Sequence, residues 1–576
     1  MEKKTIIAIA LCIAVWLIWS MVFMESPKPN AVADGGPTDG ATASGPGEPA
    51  RADGGEQPAP APAPDTAGEP PAELGPEQLA EIQGERFKAV FTSHGAALKR
   101  MELFNYEERD EKRPGADLGP ENLVSTEQKG RLPLSIRFRK ENSSFNLEGY
   151  NDWQIVAQSA EEVVFRLEDP ADAKAPVITK HFRISPEQYQ IDLEVELENR
   201  SESSIKEQII LDLFANYAPP AQTGCFGAPS APRTPMCMQG EQTIPSSSGC
   251  TSVAKLNAGE ARTGEPDINW TGINEQYFLM AAVPLGVDRA VCRISARNDN
   301  LLIASLMYPE NDIPPGTSTS HRFRIYAGPK KMSLLEQIRG GVGKPERPAQ
   351  LTASVDYGWF AFLCHPMLWL LKNFYSFLGN YGLAIILLTI VIKLLLLPLT
   401  HKSMKSMGDM AKLRPLMEEL KKKHGDDKQK LNQEMMNLYK THKINPMGGC
   451  FPMLLQMPIW IALYRMLYSS VELYQAPFIP GWLGDLSYRD PYYILPIVLG
   501  GTMFLQQWLS PTSADSQQAK MMMYIMPAFF TFIMLYLPSG LVLYIFVNSL
   551  LSIAHQLIYN KMRDRKQAAL EGAGDS

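Results

Sequence analysis

Long apolar runs with few or no charges lie at the start of the chain and in its second half, and they predict helices that cross a membrane. The first run covers residues 5–24, which hold no charged side chain and follow Lys3 and Lys4. Helical residues rise about 1.5 Å each, so this run can span the hydrocarbon core of a bilayer. We expect an N-terminal transmembrane anchor over residues 1–24 that begins in the cytoplasm. A cleaved signal peptide ending near Ala33 is the alternative, although its apolar region is usually only about 7–15 residues long.

The second half of the chain contains five further runs of spanning length. They cover residues 381–399, 451–471, 491–509, 521–537 and 541–558. A preceding segment over residues 346–378 contains Trp359 and Trp369 and is typical of a helix lying along the membrane surface. Lys and Arg residues are concentrated at positions 401–443 and after the last run. Since basic loops stay in the cytoplasm, we expect six transmembrane helices with both termini cytoplasmic.

The basic segment at residues 401–443 is itself patterned. Its apolar residues recur at steps of three and four on both sides of Gly425 and Asp426. This spacing predicts two amphipathic helices joined by a turn, which form a cytoplasmic helical hairpin. The five spans and this hairpin make up an expected core over residues 379–560, and residues 561–576 are expected to be a short cytoplasmic tail.

Period-two alternation marks the region over residues 86–345. From Tyr189 to Leu197, apolar residues alternate with polar and acidic ones, as in a strand with one face in water. Weaker strand patterns cover residues 132–139, 162–167, 177–184, 289–297, 301–308 and 321–327. Many short strands without intervening helices predict an antiparallel β-sandwich, which the anchor would place outside the cytoplasm.

Residues 25–85 are rich in Pro, Ala, Gly and acidic side chains. Twelve acidic and two basic residues give the segment a net charge of -10, against -7 for the whole chain. Such a segment has too little apolar bulk to offset the entropy of ordering, so we expect a disordered linker.

The seven cysteines form no C-x-x-C pair and no zinc-binding spacing. Three of them, Cys225, Cys237 and Cys250, lie in a loop-rich stretch of the outer region, where the environment is oxidising. We expect one disulfide among these three, although the sequence does not determine which pair forms or whether Cys292 takes part.

Catalytic motifs are missing from the sequence. It has no P-loop, no dinucleotide-binding glycine pattern, no G-x-S-x-G and no H-E-x-x-H. Ser539 and His555 lie sixteen residues apart in one predicted helix, about 24 Å along its axis, so they cannot form a catalytic pair. No zinc-finger or aromatic RNA-binding signature appears either. We therefore expect that the protein is not an enzyme. We also expect that it binds no cofactor and no metal, and that it does not recognise nucleic-acid sequences.

Polar side chains inside the predicted spans are the most informative candidates. Lys393 lies in the first core span with Thr389 one turn earlier on the same helical face. A cation at the centre of a bilayer costs about 2.5–3.5 kcal/mol on insertion scales, so it usually faces an interior or a wet cavity. Further polar positions in the spans are Gln456, Tyr524, Thr531 and Asn548. A lysine that extends to the membrane surface, or polar side chains that only hold helices together, are the alternatives.

Four sequence blocks resemble the signature of the YidC/Oxa/Alb family of membrane insertases. They are residues 445–452 (Asn-Pro-Met-Gly-Gly-Cys-Phe-Pro), 456–460 (Gln-Met-Pro-Ile-Trp), 490–496 (Asp-Pro-Tyr-Tyr-Ile-Leu-Pro) and 537–544 (Leu-Pro-Ser-Gly-Leu-Val-Leu-Tyr). The six spans and the outer β-domain are similar to the Gram-negative form, which carries a large periplasmic domain. The resemblance implies a core of five helices around a hydrophilic groove, with a periplasmic all-β sandwich attached.

The resemblance also implies which residues line the groove. The groove cation falls on Lys393, where the bacterial family usually has Arg, and Thr389, Gln456 and Tyr544 match groove positions. The implied function is a membrane protein insertase and chaperone of the inner membrane that acts alone or with the Sec translocon. The implied partners are nascent membrane proteins and lipids, with the ribosome as a further candidate. A secondary transporter that binds an anionic solute at Lys393 is the main alternative, and a structural assembly scaffold is another.

Overall fold

The structure is a computed structural model that describes most of the chain between residues 74 and 574. The described ranges are 74–108, 119–128, 130–139, 142–145, 147, 151–216, 233–244, 261–286, 289–297, 299–341, 346–424, 427–442, 451–509 and 521–574. The expected anchor over residues 1–24 lies outside them, as does the expected linker up to residue 73.

The first half of the described chain consists of β-strands. In chain order they are β1 (Leu79–Gln83), β2 (Phe87–Thr92), β3 (Ala97–Glu107), β4 (Pro120–Asn122), β5 (Ser135–Phe138), β6 (Gln154–Gln158), β7 (Glu162–Leu167), β8 (Val177–Ser185), β9 (Gln190–Glu198), β10 (Ile205–Glu207), β11 (Ile209–Asn216), β12 (Thr234–Gln239), β13 (Gln242–Ile244), β14 (Ala261–Thr263), β15 (Ile268–Asn274), β16 (Phe278–Leu285), β17 (Val291–Ala296), β18 (Leu301–Met307), β19 (Asn311–Ile313), β20 (Ser318–Pro329), β21 (Arg339–Gly340) and β22 (Arg347–Pro348). A single helical turn, α1 (Met332–Leu335), follows β20.

Two large antiparallel sheets face each other across one hydrophobic core. The larger sheet has the strand order β13-β12-β15-β16-β20-β9-β8-β7-β6, and the second has the order β14-β17-β18-β11-β5. Strands β1 to β4 form a four-stranded sheet whose buried residues join the same core. This arrangement is the β-sandwich that the sequence predicts.

The alternation in β9 is observed as predicted. Ile191, Leu193, Val195 and Leu197 are buried, and the polar residues between them are more accessible. Strand β9 pairs with β8 on one side and β20 on the other, so it lies inside the nine-stranded sheet. Its wet face therefore comes from the outer surface of the sheet and not from an edge.

The expected boundary between linker and β-domain is wrong. The linker was predicted to reach residue 85, yet β1 covers Leu79–Gln83 and pairs with β2. Ala80 and Ile82 of this strand are fully buried. This strand contains only three apolar residues among Pro, Gly and acidic side chains. That pattern is too short to predict a strand when the pairing with β2 is not known.

The expected pairing of Cys237 with Cys225 or Cys250 is also wrong. Cys237 in β12 pairs with Cys292 in β17. These strands belong to different sheets, so the bond crosslinks the two layers of the sandwich. Cys225 and Cys250 lie outside the described residues, and Cys364 is a buried free thiol.

The second half of the described chain is helical. After two 3-10 turns (Leu351–Ser354 and Gly358–Phe360), the helices are α2 (Ala361–Leu378), α3 (Tyr381–Lys412), α4 (Arg414–His424), α5 (Lys428–Thr441), α6 (Phe451–Ser469), α7 (Ile494–Leu509), α8 (Met526–Met534) and α9 (Ser539–Gly574). A π-helical stretch over Met521–Ile525 leads into α8. By length and composition, Tyr381–Met410 and Ser539–Arg563 could cross a membrane, while the apolar segments Ile494–Leu509 and Met523–Met534 are shorter.

Two predicted boundaries among these helices differ from the structure. Helix α3 continues through the start of the expected hairpin to Lys412, and α9 continues through most of the expected tail to Gly574. No residue near either expected boundary stops a helix, and Pro398 is accommodated inside α3. The expected hairpin itself corresponds to α4 and α5, which contact each other.

The segment between α6 and α7 connects the two halves of the molecule. Val471 and Tyr474 belong to the hydrophobic core of the β-domain, although they follow a helix of the second half. The neighbouring Glu472 forms an ion pair with Lys372 of α2 at 2.7 Å. We call residues 470–490 the outer loop.

Candidate functional site

The predicted cation lies between two helices and donates hydrogen bonds to two neutral polar side chains. Lys393 of α3 donates from Nζ to Asn548 Oδ1 at 3.2 Å and to Ser552 Oγ at 2.6 Å. Asn548 and Ser552 stand one turn apart on α9, so they present adjacent oxygens to the ammonium. Among the described residues, Lys393 forms no ion pair. An ammonium has three donors, which leaves one for a ligand.

Thr389 lies one turn from Lys393 towards the outer loop. Its side chain is buried, and Oγ1 donates to the carbonyl oxygen of Ile385 at 2.7 Å. Because this hydrogen bond lies within α3, the hydroxyl is satisfied without a partner on another helix. The Thr389 hydroxyl therefore makes the deep end of the site polar and is hydrogen-bonded even when no ligand is present.

Gln456 and Tyr544 meet between α6 and α9. Gln456 Nε2 donates to the Tyr544 hydroxyl at 3.2 Å, and the tyrosine ring is fully buried. This contact continues the polar line of Asn548 and Ser552 along α9 towards the outer loop. The structure therefore brings five side chains into one line, namely Lys393, Asn548, Ser552, Gln456 and Tyr544.

Tyr524 and Thr531 lie elsewhere, against α7. The Tyr524 ring is exposed and packs near Phe504 with ring centroids 5.8 Å apart. Thr531 Oγ1 donates to the carbonyl oxygen of Pro527 at 2.7 Å, and its side chain fills the space above Gly500. The structure thus places these two predicted site residues against α7 and not beside Lys393.

The polar side chains of α9 contact two different neighbouring helices. Asn548 and Ser552 face α3, whereas Ser549 and Gln556 face α7. Ser549 Oγ donates to Gln506 Oε1 at 2.6 Å, and Gln556 Nε2 donates to the Leu509 carbonyl oxygen at 2.7 Å. Ser552 is the contact of Lys393 that the predicted site lacks, and its spacing of four from Asn548 is the signal that indicates it.

The outer loop covers the end of the helical core beyond Thr389 and Tyr544. Asp490 is buried and accepts hydrogen bonds from the backbone of Leu495 at 2.7 Å and from Trp482 Nε1 at 2.9 Å, which fixes the loop at the start of α7. Ser539, the first residue of α9, donates from Oγ to the Asp485 carbonyl oxygen at 3.0 Å. Its hydroxyl is thus a structural group, in agreement with the exclusion of a serine nucleophile.

The charge pattern around Lys393 favours anionic ligands. Residues 381–408 of α3, 539–563 of α9 and all of α7 contain no Asp or Glu. An anion that enters the line of polar residues would therefore meet a cation and hydrogen-bond donors without repulsion from a carboxylate.

Comparison with protein families gives two matches that together cover most of the described chain. Residues 79–370 match the model of the YidC periplasmic domain. Residues 373–567 match the model of the 60Kd inner membrane protein family. The boundary between the two matches coincides with α2, where the β-domain gives way to the helices.

Relatives of known name match along nearly the whole chain. The membrane protein insertase YidC of Syntrophus aciditrophicus (strain SB) is 35% identical over 575 residues, which cover 97% of this chain and 100% of the relative. The protein of that name in Geotalea uraniireducens (strain Rf4) is 36% identical over 574 residues, which cover 97% and 99%. A crystal structure of an active YidC insertase with its first transmembrane domain resolved aligns with a TM-score of 0.37 at 18% identity and covers 84% of this chain and 92% of that one.

Proposed function

Since the chain belongs to the YidC family of membrane protein insertases, we propose that it inserts nascent membrane proteins through a groove lined by Lys393, Asn548 and Ser552. It is an inner-membrane insertase and not an enzyme, and its β-domain is the family's periplasmic domain. The family assignment replaces the anion transporter and the scaffold as interpretations of the polar side chains.

The proposed topology has six spans, the first of them the N-terminal anchor, with both chain termini in the cytoplasm. The charge distribution supports it, because the hairpin of α4 and α5 and the end of α9 carry most of the basic residues of the second half. In this orientation the outer loop faces the periplasm with the β-domain. The groove around Lys393 then opens towards the cytoplasm and is covered on the periplasmic side.

The position of Lys393 is the observation that carries the proposal. Moving an acidic side chain through a bilayer centre costs about 2.5–3.5 kcal/mol on insertion scales. An ammonium held by two neutral oxygens has no carboxylate partner among the described residues, so it can attract an acidic side chain and offset part of this cost. The apolar part of the substrate drives insertion, because its transfer into lipid removes apolar surface from water. No nucleotide or metal is required for such a step.

The remaining predicted residues have supporting roles in this proposal. Thr389, Gln456 and Tyr544 keep the deep end of the groove polar beneath the outer loop. Tyr524 and Thr531, on the α7 side, would contact a substrate as it leaves the groove for lipid. We propose the Sec translocon and membrane lipids as further partners, and the basic hairpin of α4 and α5 as the contact for ribosomes carrying nascent chains.

The charge of Lys393 can be tested by insertion into proteoliposomes that contain the purified full-length protein. We expect Lys393→Arg to insert a substrate with acidic residues in its translocated segment at nearly the normal rate. Lys393→Ala should slow this substrate by about tenfold, since the lost attraction corresponds to roughly 1–2 kcal/mol. A matched substrate with Asn and Gln in place of its acidic residues should be much less affected.

The lipid-exposed neighbour Leu395 provides the control, because Leu395→Ala changes α3 without touching the polar line. Equal rates for Lys393→Ala and the unaltered protein on the acidic substrate would overturn the electrostatic role. Failure of the unaltered protein to insert either substrate would overturn the proposed function itself.

A further inference from the structure

The polar line at Lys393 continues towards the cytoplasmic end of the helices. On α9, Asn548, Ser552, His555 and Tyr559 recur at steps of four, three and four residues, which places them on one helical face. On α3, His401 lies eight residues beyond Lys393, about 12 Å further along the helix. The His401 ring lies 5.9 Å from the His555 ring and 5.4 Å from the Tyr559 ring, measured between centroids.

The two helices remain close together at this end. Gly408 of α3 is buried, and a Cβ atom there would lie 3.5 Å from the Tyr559 hydroxyl and 4.0 Å from Arg563 Nη1. These distances are those of ordinary van der Waals contact, so the polar face of α9 lies directly on α3 here. Lys393 and the two histidines therefore belong to a single seam between two adjacent helices.

His555 is incompletely satisfied in this seam. Its Nδ1 atom is buried and has no hydrogen-bond partner among the residues that the structure describes, although most buried polar atoms in proteins have one. An unpaired buried nitrogen is unfavourable, and lipid tails cannot supply the missing partner. A ligand that brings an acceptor or donor into the seam would complete the hydrogen bonding of this ring.

The composition of the seam defines the chemistry of that ligand. Neither residues 381–408 nor residues 539–563 contain a carboxylate, while the seam offers an ammonium and two imidazoles. His401 is exposed at the cytoplasmic end, whereas Nδ1 of His555 is buried. A small planar anion on a flexible side chain fits both conditions, and an Asp or Glu carboxylate is such a group.

We infer that His401 and His555 form a second binding site for acidic side chains of the nascent segment, on the cytoplasmic side of Lys393. This inference rests on the proposed function, because it assumes that a polypeptide enters the seam. His401 meets the carboxylate first at the exposed end, and His555 binds it one step deeper. Lys393 lies further along the same seam, so an acidic residue advances from the two imidazoles to the ammonium.

The test measures insertion by the full-length protein in proteoliposomes made only of zwitterionic lipid. The variants are His555→Phe, which keeps an aromatic ring and removes both nitrogens, and His555→Gln, which restores an amide donor and acceptor. His555→Phe should slow the acidic substrate by at least about tenfold, the lower end of the effect of one lost hydrogen bond to a charged group. His555→Gln should recover most of that rate, and Leu557→Phe on the exposed face of α9 is the matched control.

The second substrate, with Asn and Gln in place of its acidic residues, distinguishes binding from a structural effect. Equal slowing of both substrates by His555→Phe would show that the ring only supports the helices and would overturn the inference. An effect of His555→Phe that appears only after anionic lipid is added would assign the site to a lipid headgroup, and would also overturn it. If every variant inserts the neutral substrate at the normal rate, the proposed insertase function holds whether or not the histidine site is confirmed.

Discussion

Tyr474 of the outer loop donates a hydrogen bond to Glu121 of the β-domain, with 3.0 Å between its hydroxyl and Oε2. The same hydroxyl lies 3.1 Å from the carbonyl oxygen of Glu107. The tyrosine ring is buried among Tyr106, Tyr277 and Phe278, with centroid distances of 5.9, 4.9 and 5.4 Å. One side chain thus joins the helical core to the periplasmic domain.

Removal of the Tyr474 ring should loosen this junction. Truncation of a buried aromatic side chain typically costs about 3–5 kcal/mol, because it leaves a cavity. We expect Tyr474→Ala to lower the thermal midpoint of the full-length protein in detergent and to expose the outer loop to protease. Tyr492→Ala is the control, since Tyr492 lies shortly after the loop and is exposed. Identical protease sensitivity in the two variants would contradict a joining role for Tyr474.

Glu121 should make the same junction sensitive to pH. Burial raises the pKa of this carboxyl from 4.5 to about 7, against the opposing hydrogen bond from Tyr474. Between these two values the folded protein retains a proton that the unfolded chain has lost. The free energy of unfolding therefore falls as the pH rises from about 4.5 to 7, and it is constant above that window.

The measurement is the thermal midpoint of the full-length protein between pH 5 and pH 8, compared with that of Glu121→Gln. The amide remains neutral throughout, so the variant should lack this part of the pH dependence. The contribution is at most roughly 3 kcal/mol, from about 1.4 kcal/mol per pKa unit. Parallel curves for the two proteins would show that Glu121 titrates near its ordinary pKa.

The disulfide between the two sheets should stabilise the periplasmic domain. Cys237 and Cys292 are separated by 55 residues, and closing a loop of that length in the unfolded chain corresponds to about 4 kcal/mol in the chain-entropy model. Replacement of both cysteines by Ala should lower the midpoint of the domain's unfolding transition, and reductant should then have no further effect. Cys364→Ala is the comparison at a free thiol. An unchanged midpoint in the double variant would contradict the stabilising role.

Regular periodicity made much of the fold predictable. Strand β9 has one buried face and one wet face, so its alternation is visible in the sequence. The pairing of Cys237 with Cys292 was not predictable in this way, because it depends on which strands oppose each other across the sandwich. The burial of Lys180 was not predictable from periodicity either. It lies on the buried face of β8, where its ammonium donates to the carbonyl oxygens of Ala96 at 2.7 Å and Leu134 at 2.8 Å.

The candidate site was predictable to a similar extent. Lys393 and Asn548 were indicated by polarity inside apolar spans, and the structure places them in contact. The seven-residue spacing of Tyr524 and Thr531 gave no information on which helix they face. The π-helical stretch that contains Tyr524 changes the helical repeat just before α8, and packing against α7 determines their position.

The two outer-loop residues in the core of the β-domain impose an order on biosynthesis. The last strand of that domain ends at Pro348, but its core also requires Val471 and Tyr474, over a hundred residues later in the chain. At about 5–20 residues per second, the ribosome needs roughly ten seconds to supply them. During that interval the exported domain retains an open hydrophobic site. It closes only when α6 has been synthesised and the outer loop that follows it has reached the domain, so completion of the periplasmic domain depends on a loop that follows a helix of the second half.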